Sequence, residues 1–185
     1  MLSTPTIPTL VLTVGHSTRP LAEFIGLLSA HSVSRLIDVR TVPRSRHNPQ
    51  FDRDTLPGAL AANGIGYDHI AALGGFRRTH PGSLNTGWRN TSFRGYADYM
   101  QTPDFAAHLE DLVAKAKRER LVLMCAEAVP WRCHRSLIAD ALVVRGLRVE
   151  EITSPTRRQV HALTSFARVS GTTITYPPEM VRSRV

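Results

Sequence analysis

The sequence predicts a single α/β domain of three layers: a mostly parallel five-stranded sheet with helices on both faces, and a C-terminal β-hairpin. Three observations carry this expectation. Short β-branched runs without polar alternation recur along the chain, the pattern of strands buried on both faces. Segments with apolar residues at helical spacing separate them, and such alternation builds parallel sheets through right-handed crossovers. A chain of 185 residues, 42% hydrophobic and 21% charged, is long enough to bury one core and short for two full domains.

Thr9 to Val14 (TLVLTV) reads as the first strand, ending at Gly15. Leu21, Phe24, Ile25 and Leu28 then fall on one helical face, with Thr18 as the expected cap and Pro20 in the first turn, where its missing N–H costs nothing. Arg35 to Val39 gives the second strand, whose polar end, Asp38 and Arg40, runs into a loop containing Pro43 and Pro49. Leu56 to Asn63 predicts a short helix closed by Gly64, and Ile65 to Ile70 a third strand. From Ala71 to Arg94 there is no period, only glycines, Pro81 and arginines, and long loops of this kind tend to carry function. Thr102 and Pro103 cap a helix with Phe105, Leu109, Leu112, Val113 and Ala116 inward and Lys115, Lys117 and Arg118 at its negative end. Leu121 to Met124 is a fourth strand ending at Cys125. A helix with Leu137, Ile138, Ala141 and Leu142 inward stops at Gly146, and Leu147 to Ile152 is the fifth strand. Phe166 to Val169 and Thr172 to Tyr176, around Ser170 and Gly171, form the hairpin.

Composition excludes several classes. No apolar run reaches the ~18 residues of a membrane span, and Met1 to Ile7 lacks the basic start and apolar core of a signal peptide, so the expectation is a soluble cytoplasmic protein with no membrane partner. Two cysteines cannot form a disulfide framework. The formal charge is +8, and the segment Arg40 to Arg94 holds eight arginines against three carboxylates. That cluster points to an acidic partner, an anionic small molecule or nucleic acid. Guanidinium groups suit bidentate contact with phosphate or carboxylate, although a coding bias toward arginine accounts equally well for the scarcity of lysine.

Ligands of open parallel sheets bind beyond the carboxyl ends of the strands, where strand order reverses. An order three-two-one-four-five would make the first and fourth strands neighbours there. The strand ends carry Gly15-His16-Ser17-Thr18, Asp38-Val39-Arg40 and Cys125-Ala126-Glu127. The segment CAEAVPWRCHR, Cys125 to Arg135, places two thiols, a carboxylate, an imidazole and two guanidiniums on one strand-loop-helix unit. A helix N-terminus with nearby Arg132 and Arg135 lowers a thiol pKa, so Cys125 is read as a nucleophile, beside the alternatives of a packed small hydrophobe or a metal ligand. The same N–H groups and arginines would also hold a phosphate with no covalent step. Glu127 reads as a general acid or base or as a loop-fixing partner of an arginine, and His134 as a proton shuttle or a carbonyl-bonded imidazole. Asp38 reads as a reactive carboxylate or as a buried partner of Arg40. His16, Ser17, Arg40, Arg44, Arg46, Arg132, Cys133 and Arg135 complete the expected anion site. Cys133 and His134, adjacent on a helix, diverge by about 100°, which disfavours a shared metal ion. GHST lacks the GxGxxG spacing of a dinucleotide site, and these residues specify no cofactor. Tyr67, Trp88, Phe93 and Tyr96 interleave with the loop arginines as base-stacking surfaces do, with core burial as the default.

These motifs together resemble the family called domain of unknown function 488. The resemblance runs through VGHST (Val14 to Thr18), DVRTVPRSR (Asp38 to Arg46), LGG (Leu73 to Gly75), FRGYADYM (Phe93 to Met100) and CAEAVPWRCHRSLIADAL (Cys125 to Leu142). The tail His161 to Pro178 is similar to that of the subgroup carrying the AEAVPWRCHR form. The resemblance implies an α/β domain over residues 1–155 with an extension over 156–185, and a shared site around Cys125, Glu127, Cys133, His134, Arg135, Asp38, Arg40 and Arg46. It names no substrate. The expectation is an enzyme, a hydrolase or transferase, acting on a phosphorylated or otherwise anionic substrate. A non-catalytic nucleic-acid-binding module and a metal or thiol redox sensor are the alternatives.

Overall fold

A computed structural model of the protein describes residues 8–178. The segment Met1 to Ile7 and the last seven residues of the extension lie outside the described residues. The apolar runs form the expected strands β1 (Leu10–Gly15), β2 (Arg35–Asp38), β3 (Gly66–His69), β4 (Leu121–Cys125) and β5 (Arg148–Ser154). Helices α1 (Leu21–Ala30), α2 (Leu56–Ala61), α3 (Thr91–Tyr99), α4 (Pro103–Ala116) and α5 (Arg135–Val144) join them, followed by β6 (Arg157–Val160) and the hairpin β7 (Arg168–Ser170) and β8 (Thr173–Thr175). Among the described residues no helix is long and apolar enough to cross a membrane.

The main sheet has six strands in the order β3-β2-β4-β1-β5-β6, with only β6 antiparallel. The sixth strand is an addition to the expected five. Arg157 to Val160 is exposed along its length at the sheet's edge, so it shows none of the apolar patterning that marks a buried strand. β4 inserts between β1 and β2, which differs from the order three-two-one-four-five, yet β1 and β4 are neighbours as expected. Helix and strand do not alternate throughout either, since α3 and α4 follow one another and β5 turns directly into β6. α3 is an addition to the expected helices: Phe93, Tyr96, Ala97 and Met100 fall at helical spacing, with Gly95, a poor helix former, among them. A Cβ there would stand 2.5 Å from the Arg77 carbonyl oxygen, so close passage of the Arg77–Thr79 backbone requires glycine. Asn90 caps this helix, accepting from the N–H groups of Ser92 (2.8 Å) and Phe93 (3.3 Å). At α1 the cap position is Pro20, and Thr18 plays no capping part.

Strand alternation sorts the core into two layers. Leu12, Val14, Leu36, Val122 and Met124 face α1 and α2, packing on Phe24, Leu28, Leu56 and Leu60. Val11, Ile37, Leu121, Leu123 and Cys125 face α3, α4 and α5, packing on Tyr96, Phe105, Leu109, Leu137 and Ile138. Each fully buried aliphatic or aromatic side chain contributes about 1.5–3 kcal/mol. The C-terminal hairpin joins the second layer through Ile174 and Tyr176. The buried Asp140 of α5 anchors it, accepting from Tyr176 Oη (2.9 Å), His161 Nε2 (2.7 Å) and the Thr164 N–H (3.2 Å). The consequence for function lies at the carboxyl end of the sheet: β1 leads into α1 on one face and β4 into α5 on the other, so a crevice opens between them.

Candidate functional site

At that crevice the backbones of β1 and β4 stay joined past their last residues: the N–H groups of His16 and Ser17 donate to the carbonyls of Cys125 (2.9 Å) and Ala126 (3.0 Å). A Cβ on Gly15 would overlap the Glu127 carbonyl oxygen, so only glycine lets the two loops approach. Ser17 bends the chain away with φ 52°. Pairing of this kind fixes the positions of His16, Cys125 and Glu127 relative to one another.

A cavity of about 410 Å³ opens here, lined by His16, Arg40, Arg44, Cys125, Glu127, Arg132, Cys133 and His134 among the expected residues. Thr41, Val42, Ser45, Gly75, Phe76, Ser92, Phe93 and Ala126 complete its wall. Cys125 is 3% and Cys133 5% exposed, both as free thiols. Arg135, 1% exposed, lies behind Cys125: its Nη1 donates to Cys125 Sγ at 2.8 Å and to the Glu127 carbonyl at 3.1 Å. Its Nη2 donates to Glu151 Oε1 at 2.9 Å, and Thr13 Oγ1 donates to the other Glu151 oxygen. The backbone N–H of Arg135 donates to Cys133 Sγ at 3.4 Å.

The two thiols diverge in acidity. The neighbouring Cys133 side chain and then the Arg135 guanidinium hold Cys125 below its ordinary value against the effect of burial. The same contact with Cys125, reinforced by burial, pushes Cys133 well above. Cys125 is thus the more acidic thiol of the pair and Cys133 the less acidic.

Both imidazoles are neutral at the protein's working pH. Burial lowers His134 to about 4 and His16 to about 4. His134 Nε2–H donates to the Val39 carbonyl at 2.9 Å, which leaves Nδ1 as the acceptor 3.6 Å from Cys133 Sγ. Gly75 is needed against this ring, since a Cβ would lie 2.6 Å from Nδ1. His16 is stacked on Phe51 with centroids 4.1 Å apart, donates from Nδ1 to the Ser17 carbonyl (2.7 Å) and accepts from Arg40 Nη1 at Nε2 (3.3 Å).

Asp38 is fully buried and outside the cavity wall. It accepts from Arg40 Nε (2.9 Å) and Nη2 (2.6 Å) and from Tyr67 Oη (2.8 Å). Its place is behind Arg40, whose Nη2 also donates to the Phe51 carbonyl at 2.7 Å. Glu127 is exposed at the mouth, with Oε1 accepting from the Val129 N–H at 3.1 Å. Arg44 and Arg132 are exposed on the rim, Arg44 within 3.7 Å of Asp54. Ser17 and Arg46 fall outside the cavity. Among the described residues no group of three or more His, Cys, Asp or Glu is placed to hold a metal ion. Tyr96 is core, Trp88 packs on Phe93, Phe166 and Tyr176, and Arg77 covers the Tyr99 ring at 3.6 Å.

Sequence reasoning missed Glu151, Thr13, Phe51 and Tyr67 as supports, and Phe76 and Val42 as wall. Glu151 left a readable signal, a carboxylate inside a buried strand, which demands a cationic partner. Phe76, 84% exposed, and Val42, 62% exposed, left none, because only the folded loops show that they border a cavity.

The family model described as domain of unknown function DUF488 matches residues 20–142. The chain belongs to that family. No curated protein and no solved structure matches it.

Proposed function

We propose that this member of the family is a thiol-dependent enzyme, a hydrolase or transferase, in which Cys125 attacks a phosphorylated or otherwise anionic substrate seated in the 410 Å³ cavity. The observation that carries the reading is the 2.8 Å contact from the buried Arg135 guanidinium to Cys125 Sγ, at a thiol lining an open cavity. Arg44 and Arg132 on the rim and Arg40 on the wall draw in and hold the anion, and Phe76, Phe93 and Val42 take an apolar portion such as a nucleotide base. Asp38 is a positioning residue that aims Arg40. For a phosphoryl group, an S–P bond forms as the P–O bond to the leaving group breaks, and the leaving oxygen takes its proton from solvent at the open mouth. The Glu127 carboxylate then accepts a proton from the water that attacks phosphorus and returns the Cys125 thiolate. The reaction belongs in the cytoplasm, where reducing conditions keep both thiols free.

The test is turnover of 4-nitrophenyl phosphate and a panel of nucleotides, with adducts on Cys125 identified by mass spectrometry. Cys125→Ser is expected to lower the rate by at least about 1,000-fold, and Glu127→Gln to let the adduct accumulate. Full activity of Cys125→Ser, or a Cys125 inert to alkylation until the protein unfolds, would overturn the reading. A second reading, a non-catalytic nucleic-acid-binding module, is favoured by the exposure of Arg44, Arg46, Arg53, Arg78 and Arg89. It requires log affinity falling linearly with log salt, and absence of binding to DNA or RNA at low salt would end it.

A further inference from the structure

We propose that the same cavity carries a second activity, two-electron reduction of a hydroperoxide by Cys125 with Cys133 as the resolving thiol and His134 positioning it. The proposal rests on the reading of Cys125 as the reactive thiolate and on no anionic substrate. Cys133 is unexplained by group transfer. It is a second thiol on the wall of the same cavity, 3.6 Å from His134 Nδ1 and with its own backbone N–H donor. A merely packed cysteine would be placed away from both solvent and polar groups.

The geometry divides the labour. Arg135 serves both sulfurs, Cys125 through Nη1 at 2.8 Å and Cys133 through its main-chain N–H at 3.4 Å. His134, fixed by Nε2–H on the Val39 carbonyl, presents Nδ1 to Cys133 alone. Cys125 thiolate attacks the terminal oxygen of the hydroperoxide, the O–O bond breaks, and the departing alkoxide takes a proton from solvent, leaving Cys125 as the sulfenic acid. Cys133 sulfur then attacks Cys125 Sγ, the S–O bond breaks, and the departing hydroxide takes the Cys133 proton and leaves as water. Two thiols and one hydroperoxide become one disulfide, one alcohol and one water. The two sulfurs, which line one cavity and are both held by Arg135, close to the bonded separation of about 2.05 Å. An external dithiol restores both thiols by exchange.

The experiment titrates the reduced full-length protein with hydrogen peroxide near neutral pH and reads thiols and cross-linked peptides by mass spectrometry. Wild type is expected to consume one equivalent, lose both thiols together, and yield the Cys125–Cys133 peptide pair, reversed by dithiothreitol. Cys133→Ser is expected to stop at a sulfenic acid trapped by a cyclic dione, and Cys125→Ser to give no linkage. His134→Gln is expected to leave sulfenic acid formation unchanged and slow linkage about 10-fold through lost positioning of Cys133, a split between the two steps that a loss of folding would not produce. Oxidation of wild-type Cys125 to sulfinic acid without linkage, faster oxidation of Cys133 than of Cys125, or linkage only after unfolding would overturn the proposal. Rapid alkylation of Cys125 without linkage overturns this activity and leaves the group-transfer reading standing. Linkage in a protein whose Cys125→Ser variant still turns over anionic substrates does the reverse.

Discussion

Replacing Arg135 by Met and Glu151 by Gln together removes the guanidinium from Cys125 without stranding a charge beneath α5. The single change Arg135→Met would leave the Glu151 carboxylate with Thr13 alone as partner in a buried position, at a cost of about 3–5 kcal/mol, and so confuse acidity with stability. Gln at position 151 still accepts from Thr13, and a buried ion pair exchanged for neutral groups of similar volume is often nearly neutral in stability. A charge-assisted hydrogen bond such as that from Nη1 to Sγ is worth about 1.5–3 kcal/mol. The Cys125 pKa should rise, and alkylation at about pH 7 should slow about 10- to 100-fold. Iodoacetamide rates measured across the pH range by peptide mass spectrometry give the apparent pKa, and a urea transition confirms folding. A folded double variant whose rate profile superimposes on wild type would refute the assignment of Arg135 as the group that sustains the thiolate.

Three further outcomes follow from other parts of the molecule. Burial lowers His16 and His134 from 6.5 to about 4, whereas unfolding restores the ordinary value, so between those values the unfolded chain binds more protons than the folded one. The stabilisation is therefore full above about pH 6.5 and is lost as pH falls toward about 4, by about 3 kcal/mol for each ring. Urea midpoints at graded pH should show this, His16→Gln should flatten the curve, and a pH-independent midpoint in wild type would contradict it. Gly15→Ala should destabilise by about 1–3 kcal/mol or more because the added methyl meets the Glu127 carbonyl. Gly26→Ala, on the exposed face of α1 with open space around it, should stabilise by about 0.5–1 kcal/mol; equal thermal shifts for the pair would show that the β1–β4 approach is not tight. Tyr176→Phe removes one of three donors to Asp140, should cost about 1.5–3 kcal/mol, and should speed amide exchange over residues 161–176. Unchanged exchange there would mean that the hairpin is held by apolar contacts alone.

The sequence by itself determined the elements whose patterning is forced by burial. β1, β2, β4 and β5 lie within a residue or two of their expected bounds because strands covered on both faces are rich in apolar and β-branched residues, even where β5 carries Glu150 and Glu151, and α1, α4 and α5 because each turns one apolar stripe inward. It also placed the chemistry at strand ends, since Cys125 to Arg135 and the β1 loop are contiguous motifs read directly from residue types. What escaped was everything set by contacts between distant segments. β6 is an exposed edge without a pattern, the glycine inside α3 answers to a passing backbone, and the insertion of β4 between β1 and β2 depends on which helix crosses which face. The same holds at the site. Asp38 and Cys125 are both reactive residue types beside arginines, but the fold spends Asp38 on clamping Arg40 and Tyr67 behind the cavity wall and leaves Cys125 on that wall. Hydrogen-bond partners 10 to 16 residues apart or more, such as Arg135 with Cys125 and Glu151, set the surroundings in which Cys125 becomes the more acidic sulfur. Residue type sets what a side chain can do, while its solvation and neighbours, which exist only once the sheet has closed, set which of those things it does.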